Sequence, residues 1–190
     1  MYNYLTSGTE TYIGAIGWYG SGKTCNFLYL GGDYDSPWAK ITPAGYLTAS
    51  RVYGAVWNDY AEYRNTSDAK PGEVIIENGD GTLHKSHSRL EPGANIITDT
   101  FGFSIGETDQ TKTPIAVAGR VLAYPYEDRY SYKPGAAVCS APDGKISQMT
   151  REEMINYPDC IIGYVSEIPE YETWGTGNVN VDGRIWIKIK

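Results

Sequence analysis

Arg184-Ile-Trp-Ile-Lys-Ile-Lys190 closes the chain with Ile185, Ile187 and Ile189 on one parity and Trp186, Lys188 and Lys190 on the other. A period of two is that of a β-strand with one face on a core and one face in water. Three further β-branched runs read as strands: Glu73-Val-Ile-Ile-Glu77, Pro114-Ile-Ala-Val-Ala-Gly-Arg-Val-Leu-Ala123 and Cys160-Ile-Ile-Gly-Tyr-Val165. Turn dipeptides bound them, at Pro71-Gly72, Asp80-Gly81, Pro134-Gly135, Asp143-Gly144 and Asp182-Gly183. One helix start stands out. Thr150-Arg-Glu-Glu153 is a capping box, and Pro158 stops the segment within two turns. The chain therefore reads as mainly β with one short helix.

Composition narrows the function. Sixteen Lys and Arg against 23 Asp and Glu leave a net charge of −7, which argues against a nucleic-acid surface or an anionic membrane as partner. No apolar run approaches the roughly 20 residues of a membrane span, so no membrane insertion is expected. Met1-Tyr-Asn-Tyr-Leu-Thr6 has neither a basic region nor an apolar stretch, and reads without a signal peptide. Cys25, Cys139 and Cys160 are odd in number and form no CxxC pair, so they read as small buried hydrophobes in a chain made in a reducing cytoplasm. His84 and His87 would point to opposite faces of a strand, which suits solvated side chains better than a metal site. Neither a metal nor a cofactor is expected.

Two organisational features stand out. Lys70-Pro-Gly leads to Asp80-Gly81 with the same spacing that separates Lys133-Pro-Gly from Asp143-Gly144. Val117-Ala-Gly-Arg-Val121 is echoed by Val181-Asp-Gly-Arg-Ile185, and Gly102-Phe-Ser-Ile-Gly-Glu107 by Gly163-Tyr-Val-Ser-Glu167. These landmarks point to an internal duplication, with copies at about 70–125 and 133–190 against chance recurrence of common turns. The first fifty residues differ, being rich in Gly, Tyr and Trp and nearly free of Lys and Arg. Such a stretch suits identical chains that bury aromatic faces side by side. The expected organisation is an N-terminal β segment over 1–50, the end of a longer fibre or spike body, and a compact β domain over 51–190.

Gly17-Trp-Tyr-Gly-Ser-Gly-Lys-Thr24 matches the phosphate-cradling pattern G-x-x-x-x-G-K-[ST]. That loop works only with a helix behind it, whose N-terminal amides face the phosphates. Cys25-Asn-Phe-Leu-Tyr-Leu-Gly-Gly32 reads instead as a strand, so a hairpin tip is expected.

The densest chemical segment is Val56-Trp-Asn-Asp-Tyr-Ala-Glu-Tyr-Arg64. On a helical turn or a tight bend, Asp59 and Glu62 would share one side, and two close carboxylates split their pKa values into an acid and a base. The same residues also fit a plain helix start, with Asn58 or Asp59 as cap. Arg51-Val-Tyr-Gly-Ala-Val-Trp-Asn-Asp-Tyr-Ala-Glu-Tyr-Arg64, with Leu90-Glu-Pro-Gly-Ala94 and the Gly-Arg-Val turns, resembles a phage family over roughly residues 50–190. It is similar to the C-terminal intramolecular-chaperone, autoproteolytic domain of phage tail spikes and pre-neck appendages. The resemblance implies a homotrimer that helps its parent fold and then cuts itself before the Asp of D-x-x-E, as a glutamic-type peptidase acting once on its own chain. It puts the scissile bond at Asn58–Asp59 and the catalytic pair at Asp59 and Glu62. It further implies a place in the virion tail, attached to the rest of a tail fibre. The alternative is a non-cleaving receptor-binding tip whose exposed Tyr and Trp stack on a host cell-surface glycan.

Overall fold

A computed structural model describes the chain except for residues 1–2, 7–8, 13–14, 22–23, 32–36, 44–46, 50–58, 66–68, 107–111 and 176–178. The protein is mainly β, and the chain divides into two compact units, Met1–Tyr53 and Gly54–Lys190. The first holds a hairpin of β1 (Asn3–Thr6) and β2 (Thr9–Tyr12). It also holds a four-stranded antiparallel meander of β3 (Ala15–Ser21), β4 (Thr24–Gly31), β5 (Pro37–Ile41) and β6 (Leu47–Ala49). The strands β3 and β4 pair from Ala15↔Gly31 to Ser21↔Thr24. A strand therefore follows Thr24, and the phosphate-loop match is a hairpin, with residues 22–23 of its tip outside the described residues. Cross-strand pairs Leu28↔Ile41 and Leu30↔Ala39 build an apolar face on which Leu28, Leu30 and Ile41 are exposed.

The second unit begins with β7 (Asp59–Asn65), β8 (Val74–Glu77), β9 (Leu83–Lys85), β10 (Ala94–Ile96) and β11 (Phe101–Ile105). There follow β12 (Lys112–Ala123), β13 (Ala137–Ala141), β14 (Lys145–Gln148) and the helix α1 (Arg151–Asn156). The chain ends with β15 (Gly163–Glu167), β16 (Thr173–Trp174), β17 (Val179–Asn180) and β18 (Ile185–Ile189). A seven-stranded sheet runs β11-β7-β12-β18-β15-β13-β14, a three-stranded sheet runs β10-β8-β9, and β16 pairs with β17. Val74, Ile76 and Ile96 from the small sheet pack with Val121, Val138, Ile146, Val165, Ile185 and Ile187 of the large one, so one core joins the two.

The helix forms where the capping box places it. Thr150 Oγ1 accepts from the Glu153 amide and Glu153 Oε2 accepts from the Thr150 amide, which satisfies two donors that a helix start leaves orphaned. Arg89 then grips both Glu153 oxygens at 2.8 Å and holds that carboxyl down at about 2.

The two Lys-Pro-Gly landmarks open matching hairpins. In the first, Ile75 pairs with Lys85, Ile76 with His84 and Glu77 with Leu83. In the second the same register joins Val138 to Gln148, Cys139 to Ser147 and Ser140 to Ile146. Each hairpin's first strand also carries a third strand on its other side, β10 in one case and β15 in the other. The turns repeat as well: Glu73 N donates to Lys70 O and Ala136 N to Lys133 O. The other two landmark pairs do not occupy equivalent places. Phe101–Ile105 is an edge strand parallel to β7, whereas Gly163–Glu167 lies antiparallel between β13 and β18. Val117–Val121 lies within β12, whereas Val181–Arg184 is a turn closed by Arg184 N donating to Val181 O.

The strand β18 departs from the simple alternation. Ile185 and Ile187 face the core as expected, but Trp186 on the other face is also fully buried. The β16–β17 hairpin brings Trp174 and Val179 over it, Trp174 edge-on at 5.2 Å, and Trp186 Nε1 donates to Tyr171 Oη at 2.7 Å. Both faces of β18 are therefore dry until Lys188.

Close backbone approach makes Gly163 a sensitive position. A Cβ there would lie 2.2 Å from the Lys188 carbonyl oxygen, and only a shift of the β15–β18 pairing could make room. Gly163→Ala is expected to cost about 1–3 kcal/mol, read as a lower urea midpoint at unchanged slope. An unchanged midpoint would contradict this packing.

Candidate functional site

The segment that carries Asp59 and Glu62 is a strand, not a helical turn or bend. Its Tyr and β-compatible residues pair with neighbours on both sides: β11 in parallel and β12 antiparallel. Residues three apart on a strand face opposite ways, about 10 Å apart along it. Asp59 is fully buried with Ala61, while Glu62 is half-buried on the other face, 3.7 Å from Arg64 Nη1. Within one chain the two carboxylates are not brought together. Trp57 and Asn58, and with Asn58 the carbonyl side of the expected scissile bond, lie outside the described residues.

Both neighbours of β7 break register beside its first residues. The β11 strand shifts between Phe101 and Phe103, which pair with Asp59 and Tyr60. The β12 strand shifts between Ala116 and Ala118, which pair with Ala61 and Tyr60. Such bulges bend a strand and re-aim its side chains. Asp59 thus begins a central strand, between Phe101 on one side and Gly119 on the other, with its carboxyl turned into the protein.

The floor of the site is Thr98-Asp99-Thr100. The bridge Ile97↔Ile115 and the bond from Thr98 N to Pro114 O pin this segment to the start of β12. Thr98 and Thr100 are buried, and Thr100 Oγ1 donates to Asp59 Oδ1 at 2.9 Å. Thr98 Oγ1 lies 3.1 Å from Thr100 Oγ1 and accepts the Thr100 amide at 3.0 Å. Asp59 Oδ2 is buried and has no hydrogen-bond partner among the described residues. Asp99 turns away to a bidentate pair with the buried Arg184, at 2.9 and 3.0 Å.

Burial raises the Asp59 carboxyl from 3.8 to about 6; the hydroxyls of Thr98 and Thr100 pull it down, and the charge of Asp99 adds a smaller push upward. Asp59 is thus a carboxylic acid poised to gain or lose a proton near neutral pH, with one oxygen held and one unclaimed.

Sequence reading missed the threonine floor. A Thr-Asp-Thr triplet directly after the apolar Ile96-Ile97 was the available signal, since short polar residues behind buried ones need partners. The histidines also differ from expectation: β9 ends at Lys85, so alternation does not reach His87, and the two rings stack with centroids 5.4 Å apart. Cys139 and Cys160 are free and buried, and burial pushes the Cys139 thiol up to about 11. The chain matches no protein-family model, no curated protein and no solved structure.

The raised acid has a cost that depends on pH. An acid whose folded pKa exceeds its unfolded value stabilises fully below the unfolded pKa, and that contribution is lost as pH rises through the folded one. For Asp59 the loss spans 3.8 to about 6 and is on the order of 3 kcal/mol. Asp59→Asn imitates the neutral acid, so its stability relative to wild type is expected to rise from pH 4 to pH 7 by about that amount. Urea unfolding at both pH values checks this, and a constant difference would contradict a buried, raised carboxyl.

Proposed function

We propose that this protein is the C-terminal trimerisation and folding domain of a phage or prophage tail fibre or spike, and that it cuts its own chain once at Asn58–Asp59. The observation that carries the reading is the Asp59 carboxyl, fully buried and with Oδ2 unpartnered, at the first residue after the proposed cut. Asp59 gives a proton to the departing amine, which is its own backbone nitrogen. Glu62 takes one from the attacking water. Because β7 sets Glu62 on the outer face, it reaches the bond from a neighbouring chain of the trimer. That face is apolar around it, with Tyr60, Phe103, Ile105 and Val117 all more than 40% exposed. The Tyr60 and Phe103 rings pack edge to face at 5.6 Å, and the exposed face of the first unit at Leu28, Leu30 and Ile41 also suits burial between like chains. The assembled product would reside in the virion tail, after synthesis in the bacterial cytoplasm.

A second reading, a carbohydrate-binding tip, is favoured by a different observation. Arg129, Glu170, Tyr171, Glu172, Asn180 and Asp182 line an open polar cavity of about 520 Å³. Carboxylates and a tyrosine can bind sugar hydroxyls, and such a tip would stay attached and uncut.

Sedimentation and trimer-mixing separate the readings. Wild type is expected to sediment as a trimer, and Glu62→Ala is expected to remain a trimer while losing cleavage. Refolded together, Glu62→Ala chains are expected to be cut when Asp59→Asn chains supply Glu62. Unchanged cleavage in Glu62→Ala, or a monomer in all forms, would overturn the proposal.

A further inference from the structure

The hairpin between β8 and β9 turns over Gly79, Asp80 and Gly81. Asn78 N donates to Thr82 O and Gly81 N to Asn78 O, both at 2.9 Å, and Gly81 takes the left-handed backbone at φ 80°. This is a three-residue hairpin loop, exposed from Asn78 to Thr82. In an Asn-Gly or Asp-Gly pair the glycine nitrogen can attack the side-chain carbonyl carbon before it and close a five-membered imide, since glycine puts no Cβ in the way. The chain has four such pairs, at Asn78, Asp80, Asp143 and Asp182. Hydrogen bonding sorts them. Gly81 N and Gly144 N are spent on Asn78 O and Ser86 O, and the Asp182 carboxylate is held by Tyr124 Oη at 2.7 Å. Gly79 N makes no hydrogen bond among the described residues, and a Cβ built on Gly79 meets nothing within 4 Å.

The leaving group sets Asn78 further apart. Its Nδ2 donates to Thr82 Oγ1 at 2.9 Å and lies 3.3 Å from Nδ1 of His84, on the facing strand. The His84 ring is itself stacked on His87. A planar amide nitrogen only donates, but once Cγ is tetrahedral the same nitrogen is an amine that accepts a proton. Histidine is the side chain that exchanges a proton near neutral pH, and this one stands at hydrogen-bond distance from the nitrogen that must leave.

We propose that Asn78 is a site of spontaneous modification, passing through a succinimide with Gly79 to aspartate and isoaspartate, with His84 as the acid that expels ammonia. The step balances. Gly79 N bonds to Asn78 Cγ and gives its proton to water. The Cγ–Nδ2 bond breaks, and the nitrogen leaves as ammonia with a proton from His84 Nδ1, which solvent restores. Water then opens the ring at one carbonyl carbon to give aspartate or at the other to give isoaspartate. The product is one charge more negative than the −7 of the sequence and loses both Nδ2 contacts. In the isoaspartyl form an extra main-chain carbon enters a loop whose length sets the pairing Glu77↔Leu83. None of this depends on a cut at Asn58–Asp59.

Protein aged at neutral pH in oxygen-18 water, then digested and mapped by mass spectrometry, tests the proposal. The peptide holding residue 78 is expected to gain label with time in both aspartyl and isoaspartyl forms, ahead of the peptides holding Asp143 and Asp182. Gly79→Ala, which the open space admits, is expected to slow the gain by hindering ring closure. His84→Phe keeps a ring against His87 and removes Nδ1, and is expected to slow it by about tenfold or more. His84→Gln, which can hold Nδ2 but supplies no acid, is expected to be as slow. Unfolded in urea, wild type and both His84 variants are expected to react alike. An Asn78 that stays unmodified, or a folded His84→Phe that reacts as fast as wild type or faster, would overturn the proposal.

Discussion

Twelve consecutive residues of β12 hold the larger unit together. The first two thirds of the strand pair with β7, from Lys112↔Asn65 to Gly119↔Asp59, and the last four residues pair with β18. Among the described strands, β12 links the β11–β7 pair to the rest of the seven-stranded sheet. The bulge between Ala116 and Ala118 lies just before the strand passes from β7, at Gly119, to β18, at Arg120. A strand that changes partners twists and bends there, and Asp59 sits against that bend. The candidate site is thus built where the pairing of β7 with both of its neighbours is interrupted.

Burying the Asp59 carboxyl is the least favourable feature of this arrangement. An apolar residue at the same place would cost nothing to dehydrate, whereas this acid loses stability as it ionises. The surroundings soften the cost on one oxygen and leave it whole on the other: Thr100 holds Oδ1 and nothing described holds Oδ2. The contrast with Asp99 is instructive, because that neighbour is matched by both arms of Arg184, itself fixed by the Val181 and Asn180 carbonyl oxygens. Structure that pairs both oxygens of Asp99 and only one of Asp59 treats the two carboxylates as different tools.

Much of the fold was legible because its signals are local. The capping box at Thr150–Glu153, the turn dipeptides and the β-branched runs each specify their own backbone, and each element forms where its residues say. What the sequence could not carry is pairing at a distance. Trp186 reads as the wet face of β18 until the β16–β17 hairpin is folded over it. Asp59 and Glu62 read as neighbours on a turn, but β11 and β12 draw their segment into a strand and set them on opposite faces. Thr98 and Thr100 carry no motif at all. Their importance comes from the register that brings residues 97–100 beneath β7.

Intact mass under denaturing conditions, on protein freshly purified and again after ageing at pH 5 and pH 8, tests the central claim most directly. A fragment beginning at Asp59 and ending at Lys190 is expected to grow with time, and to grow faster at pH 5, where Asp59 holds its proton. A single species at 21.0 kDa at every time and both pH values would contradict the account.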